Sequence, residues 1–82
     1  MLTKENIWQK VKENEGRVFQ TVTGKDFTYQ VIDNFIITSR TKWHIREKDF
    51  QRALELNPSK PSDITKDVYG SSYVFAIMKA IE

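Results

Sequence analysis

The sequence predicts an α+β domain of two layers, a three-stranded antiparallel meander packed against helices in the order α-β-β-β-α-α. Three observations carry that expectation. Apolar residues recur at helical spacing over the first fifteen positions, alternate with a period of two from Arg17 to Arg40, and return to helical spacing from Glu47 to Ile81. Helices gathered on one face of an antiparallel sheet bury both apolar surfaces in a single core. At 82 residues the chain has the length of one small domain, and residues 1–82 are taken as that domain.

The first helix takes Thr3 as its N-cap, since a threonine hydroxyl accepts a hydrogen bond from an unpaired first-turn amide. Leu2 and Ile7 stand at the positions of a hydrophobic staple. Ile7, Trp8 and Val11 make a short apolar stripe opposite Lys4, Lys10 and Glu13. Gly16 ends the helix in the left-handed conformation that its missing Cβ permits. So thin a stripe needs a partner surface to be stable.

Three strands follow, rich in β-branched and aromatic residues. Val18, Gln20 and Val22 alternate with Phe19, Thr21 and Thr23, and Phe27, Tyr29 and Val31 alternate with Thr28, Gln30 and Ile32. Gly24-Lys25 suits a two-residue hairpin turn, which pairs Val22 with Phe27. At Asp33-Asn34 two loop lengths compete. A two-residue loop places Phe27, Tyr29 and Val31 with Thr38 and Arg40, whereas a three-residue loop with Asn34 left-handed places them with Phe35, Ile37 and Ser39. The longer loop gives the more apolar face and is preferred. The expected inner face is then Val18, Val22, Phe27, Tyr29, Val31, Phe35 and Ile37. The outer face carries Thr21, Thr28, Gln30, Thr38 and Arg40, with Phe19, Ile32 and Ile36 as apolar exceptions. A slip of one residue inverts this assignment.

Glu47 to Leu56 reads as the second helix, with Phe50, Ala53 and Leu54 inward and Asn57-Pro58 as its stop. A polar loop over residues 57–70 holds at most one helical turn near Asp63 to Lys66. The last helix opens on a capping serine, Ser71 or Ser72, and runs to Ile81. It is apolar nearly all round, as buried or interfacial helices are.

Composition removes several function classes. There is no cysteine, which excludes disulfides and thiolate metal sites and suits a reducing, cytoplasmic home. No apolar run approaches the roughly 20 residues of a membrane span, so no membrane partner is expected. The first residues, Met1 to Glu5, lack the apolar stretch of a signal peptide. The only histidine, His44, has no nucleophile motif around it. Asp63 and Asp67 share a helical spacing without further ligands nearby, and Gly16, Gly24 and Gly70 are too scattered to cradle a phosphate. The chain is therefore expected to be no enzyme and to take no cofactor or metal.

What remains is charge placement. Between Arg40 and Arg52 five bases face two acids, while the rest of the chain has eight bases and nine acids. Residues 39–48 join the third strand to the second helix, and Arg40, Lys42, Trp43, His44, Arg46 and Lys48 are the candidate nucleic-acid-binding residues. Lysine and arginine neutralise phosphates, and an accessible indole stacks on an unpaired base. The function expected is a small binding module for nucleic acid. Its rival is a protein–protein or homodimerisation module using the last helix and the outer apolar trio.

Overall fold

The computed structural model describes residues 2–41, 44–68 and 70–82. Its order is α1 (Ile7–Glu13), β1 (Phe19–Gln20), β2 (Asp26–Phe27), β3 (Tyr29–Ile32), β4 (Phe35–Thr38), β5 (His44–Arg46), α2 (Glu47–Leu56), a 3₁₀ turn (Pro61–Asp63) and α3 (Ser71–Ile81). The class is α+β as expected. The three-stranded antiparallel meander is β3-β4-β5, and β1-β2 forms a separate two-stranded ribbon. The helices lie against the meander's inner face, sharing one core that includes Ile7, Val11, Tyr29, Ile36, Ile45, Phe50 and Ile77.

The first helix begins at Ile7 with Asn6, not Thr3, in the N-cap position, and Thr3 closes the turn that leads into it. Its hydroxyl accepts from the Asn6 amide at 3.2 Å while the Asn6 carboxamide accepts from the Thr3 amide at 2.8 Å. Ile7, Trp8 and Val11 are all buried, and Trp8 meets Phe50 of α2 with ring centroids 6.0 Å apart. The second helix falls on its expected bounds. It stops at Asn57, which is left-handed with φ 47° and donates its amide to Ala53 and Leu54.

The hairpins are where sequence expectation and structure part. The first loop has three residues at its tip rather than two: Thr21 and Lys25 are bonded across it, and Gly24 takes φ 84° as the third. The second has two rather than three, with Asp33 and not Asn34 at positive φ, 51°. Each loop differs from expectation by one residue in length, and the first also closes earlier in the chain. Its register therefore shifts by three (Phe27 meets Phe19, not Val22) and the second by one; either odd shift inverts the faces. Phe19 therefore pairs with Phe27, and Tyr29, Val31 and Ile32 pair with Thr38, Ile36 and Phe35. Val18 and Val22 turn out to solvent at 61% and 65% exposed, while Phe19 and Ile36 turn in at 3% and 0%. The inner surface gains Thr21 and Thr38 in place of the expected Phe35 and Ile37. Thr38 is accommodated because its hydroxyl bonds Thr41, both by side chain at 3.0 Å and from the Thr41 amide at 3.1 Å.

Phe19 stacks on Phe27 and on Tyr29 at 5.7 and 5.4 Å, and Phe27 meets Tyr73 of α3 edge-on at 5.0 Å. This aromatic cluster joins the ribbon to the last helix. Tyr29 reaches further and donates its hydroxyl to the Val11 carbonyl of α1 at 2.5 Å. Burial, helped by the Glu15 carboxylate and opposed by Arg17, pushes the phenol above the ordinary value of about 10. The folded state therefore holds this proton where the unfolded chain has released it. Stability is intact below pH ~10 and falls by about 1.4 kcal/mol per pH unit above it. Tyr29→Phe is expected to cost about 1–2 kcal/mol at neutral pH by removing the buried bond to the Val11 carbonyl, which keeps only its longer contact with the Asn14 amide at 3.3 Å. It is also expected to remove the tyrosine's share of the alkaline loss. Urea midpoints measured from neutral to strongly alkaline pH check both, and a variant as alkali-sensitive as the parent would refute the assignment.

Two further corrections concern the chain after α2. The loop over residues 57–70 is not merely polar, since Pro58, Ile64 and Val68 are buried and the Val68 amide bonds the Ile64 carbonyl at 2.9 Å. The helical turn falls at Pro61–Asp63, where the Asp63 carboxylate accepts from the Ser59 and Lys60 amides. The residue capping α3 is Gly70 and no serine side chain caps it. Within α3, Val74, Phe75, Ala76, Ile77 and Ile81 are buried by this one chain. No helix among the described residues is long and apolar enough to cross a membrane.

Candidate nucleic-acid interface

The segment expected to be a strand-to-helix linker contains a strand of its own. Antiparallel pairing with β4 sets Arg46 opposite Phe35, Ile45 opposite Ile36 and His44 opposite Ile37. Alternation then buries Ile45 and exposes His44 and Arg46. Only one of these three residues is apolar, so the strand leaves almost no periodic signal in the sequence.

Pairing across all three strands builds the outer face in two ranks. Gln30, Ile37 and His44 form one rank, and Ile32, Phe35 and Arg46 the other. Gln30, His44 and Arg46 are exposed, Ile32 is 40% exposed, and Phe35 and Ile37 are partly so. The face is thus open to water. The His44 ring leans diagonally over Phe35, with centroids 4.2 Å apart and planes 10° from parallel.

Beside this face, between β5 and α2, runs a groove of about 830 Å³ lined by His44, Arg46, Lys48, Asp49, Gln51, Arg52, Glu55 and Asp67. Three cations face three carboxylates, and their pairing decides which charges are available. Arg52 is held by Glu55 at 3.4 Å and by Asp67 at 3.7 Å. Glu55 also bonds the Lys4 ammonium, which with Lys4's charge holds its carboxyl below the usual range. Asp49 accepts from the Arg46 backbone amide at 2.9 Å, fixing the start of α2. Among the described residues, Arg46 and Lys48 form no ion pair.

Of the residues singled out in the sequence, the structure brings together His44, Arg46 and Lys48. Arg40 does not line the groove, because its Nε donates to the Asp26 carbonyl of β2 at 2.5 Å. Lys42 and Trp43 lie outside the described residues. Phe35 and Ile37 were missed, having been assigned to the inner face. The signal that finds them is the two-residue loop at Asp33-Asn34, whose aspartate tolerates positive φ. Arg52 was counted in the local charge but not as a site residue, and it enters the groove already paired. Asp63 and Asp67, weighed in the sequence as possible ligands, have a turn cap and an ion pair as their observed roles. Among the described residues no group of three His, Cys, Asp or Glu is placed to hold a metal ion.

Fold and surface together define a small α+β domain that offers an open sheet face with a mixed-charge groove along one edge. No protein-family model, curated protein or solved structure gives a significant match to the chain.

Proposed function

We propose that the protein is a non-enzymatic binding module that contacts nucleic acid through β5 and the start of α2, in the cytoplasm. The observation that carries this reading is the pair of cations, Arg46 and Lys48, that form no ion pair among the described residues and stand at the margin of a solvent-open sheet face. Phosphates are the natural counter-charge for two such groups, and His44 beside them adds a third donor. Binding is expected to be weak, because two cations release few counterions and Arg52 is already engaged.

Two phosphate contacts predict a log–log salt slope of about −1.4 for single strands. Arg46→Ala combined with Lys48→Ala is expected to weaken binding and remove most of that slope. Fluorescence anisotropy with random-sequence oligonucleotides across a salt series measures it. Failure of the parent protein to bind any oligonucleotide at low salt would end this reading.

The rival reading, assembly with itself or another protein, rested on α3 and on Phe19, Ile32 and Ile36 as an outer trio. The chain itself buries Phe19, Ile36 and the Val74, Phe75, Ala76, Ile77 and Ile81 side chains of α3, which leaves Ile32 with Met78 and Ala80 of α3 as the apolar groups of that reading still open to a partner.

A further inference from the structure

We infer that the outer face of β3-β4-β5 takes single-stranded nucleic acid in preference to duplex, with a base extending the Phe35–His44 stack and the flanking phosphate on Arg46 and Lys48. This rests on the nucleic-acid reading above and names the form of the ligand.

Three features point to a single strand. The first is the ring pair. Two aromatic rings 4.2 Å apart and 10° from parallel form a short π-stack, and a third flat ring is the group that lengthens it best. His44 is exposed, so the base reaches the stack from its side. A duplex keeps its base faces inside its own stack and has none to offer.

The second is the apolar character of the face. Ile32, Phe35 and Ile37 leave carbon surface open between the polar groups. Phosphate gains nothing from carbon, so a surface serving duplex backbone alone has no use for it. The flat face of a base does. Gln30, opposite Ile37 in the rank that ends at His44, adds a carboxamide able both to donate and to accept at a base edge.

The third is geometry. Arg46 sits directly opposite Phe35 across the β4–β5 pair, so the two side chains leave the same face of the sheet from backbones about one strand spacing, roughly 5 Å, apart. That places charge beside the stack, as a sugar–phosphate backbone places phosphate beside its base. A three-stranded sheet presented face-on is also too broad for the major groove, which admits a helix or a two-stranded ribbon.

The test compares a short oligothymidylate, a duplex of equal length and inorganic polyphosphate at low salt, using the intact chain. The single strand is expected to bind at least about ten-fold tighter than either competitor. Phe35→Leu, which keeps apolar bulk without a ring, is expected to abolish that preference while leaving duplex binding unchanged; His44→Ala is expected to abolish it too, and to weaken duplex binding as well because it removes a phosphate donor. The Phe35 ring protons are expected to shift upfield on adding the single strand, a signal that charge contact alone does not produce. Equal affinity for single strand and duplex overturns the inference and leaves the nucleic-acid reading standing. A single-strand preference that survives both substitutions overturns it too, since the stacking then lies elsewhere. Absence of all oligonucleotide binding, with or without self-association through this face, overturns both.

Discussion

Ile77→Asp is expected to leave the chain unfolded at 25 °C. Ile77 is 0% exposed in the middle of α3, inside the core shared by the helices and the sheet. An aspartate there loses the isoleucine's burial, worth about 2–3 kcal/mol. It must also either strip water from a carboxylate or stay protonated against its preferred state, at a cost of several kcal/mol more. Domains of this size hold roughly 4–12 kcal/mol in total, so the one change consumes most or all of it. Ser72→Asp is the control, since Ser72 is exposed at the start of the same helix. A carboxylate near a helix N-terminus is neutral to mildly stabilising. Far-UV circular dichroism and urea titration of both variants decide the matter. A cooperatively folded Ile77→Asp protein with the parent's midpoint would show that α3 does not occupy the core.

The burial of Ile77 was legible because α3 carries a long apolar run with one clear polar break, and little can be done with such a helix except bury it. α2 was legible for a complementary reason. Phe50, Ala53 and Leu54 set its face, and Asn57-Pro58 sets its end. The strands show where that legibility stops. Extended chain from Phe19 to Thr38 followed from β-branched alternation, whereas β5 left no such signal, and the faces depended on loop lengths. Gly24 suits the first position of a two-residue turn and the third of a three-residue one equally well, and composition does not choose between them. The choice falls to packing. With the observed loops, Phe19, Phe27 and Tyr29 form one cluster against Tyr73, at the cost of exposing Val18 and Val22.

The same ambiguity governed the site. His44, Arg46 and Lys48 stood out by charge, yet their aromatic neighbour Phe35 was hidden by the inverted register. Arg40 shows a different limit. Charge density marked it, while its hydrogen bond to β2 removes it from the groove. A charge count along a chain reports which residues are basic, and only pairing reports which of them remain free to bind.

Gly70→Ala is expected to destabilise the fold by about 2–4 kcal/mol, and to do so through Ile45. Gly70 has φ 64° and ψ 39°, and its carbonyl accepts the first bonds of α3 from the Tyr73 and Val74 amides. A Cβ at this position lies 2.8 Å from Ile45 Cδ1 and 3.3 Å from Cγ1. Ile45 is fully buried, so its side chain has little room to retreat. The left-handed backbone and the overlap each add a penalty, and they can be separated. Ile45→Val deletes Cδ1 and relieves the closer contact while leaving the backbone cost untouched. In the Ile45→Val background Gly70→Ala is therefore expected to cost about 1 kcal/mol less than in the parent, a coupling that a double-mutant cycle in urea measures. Additive effects would mean that the loop before α3 does not press on β5. If the coupling is present, the site shares it. Ile45 lies between His44 and Arg46, and any shift of its backbone re-aims both neighbours. Gly70→Ala is then expected to weaken oligonucleotide binding at temperatures where the variant is still folded, although Gly70 itself does not line the groove.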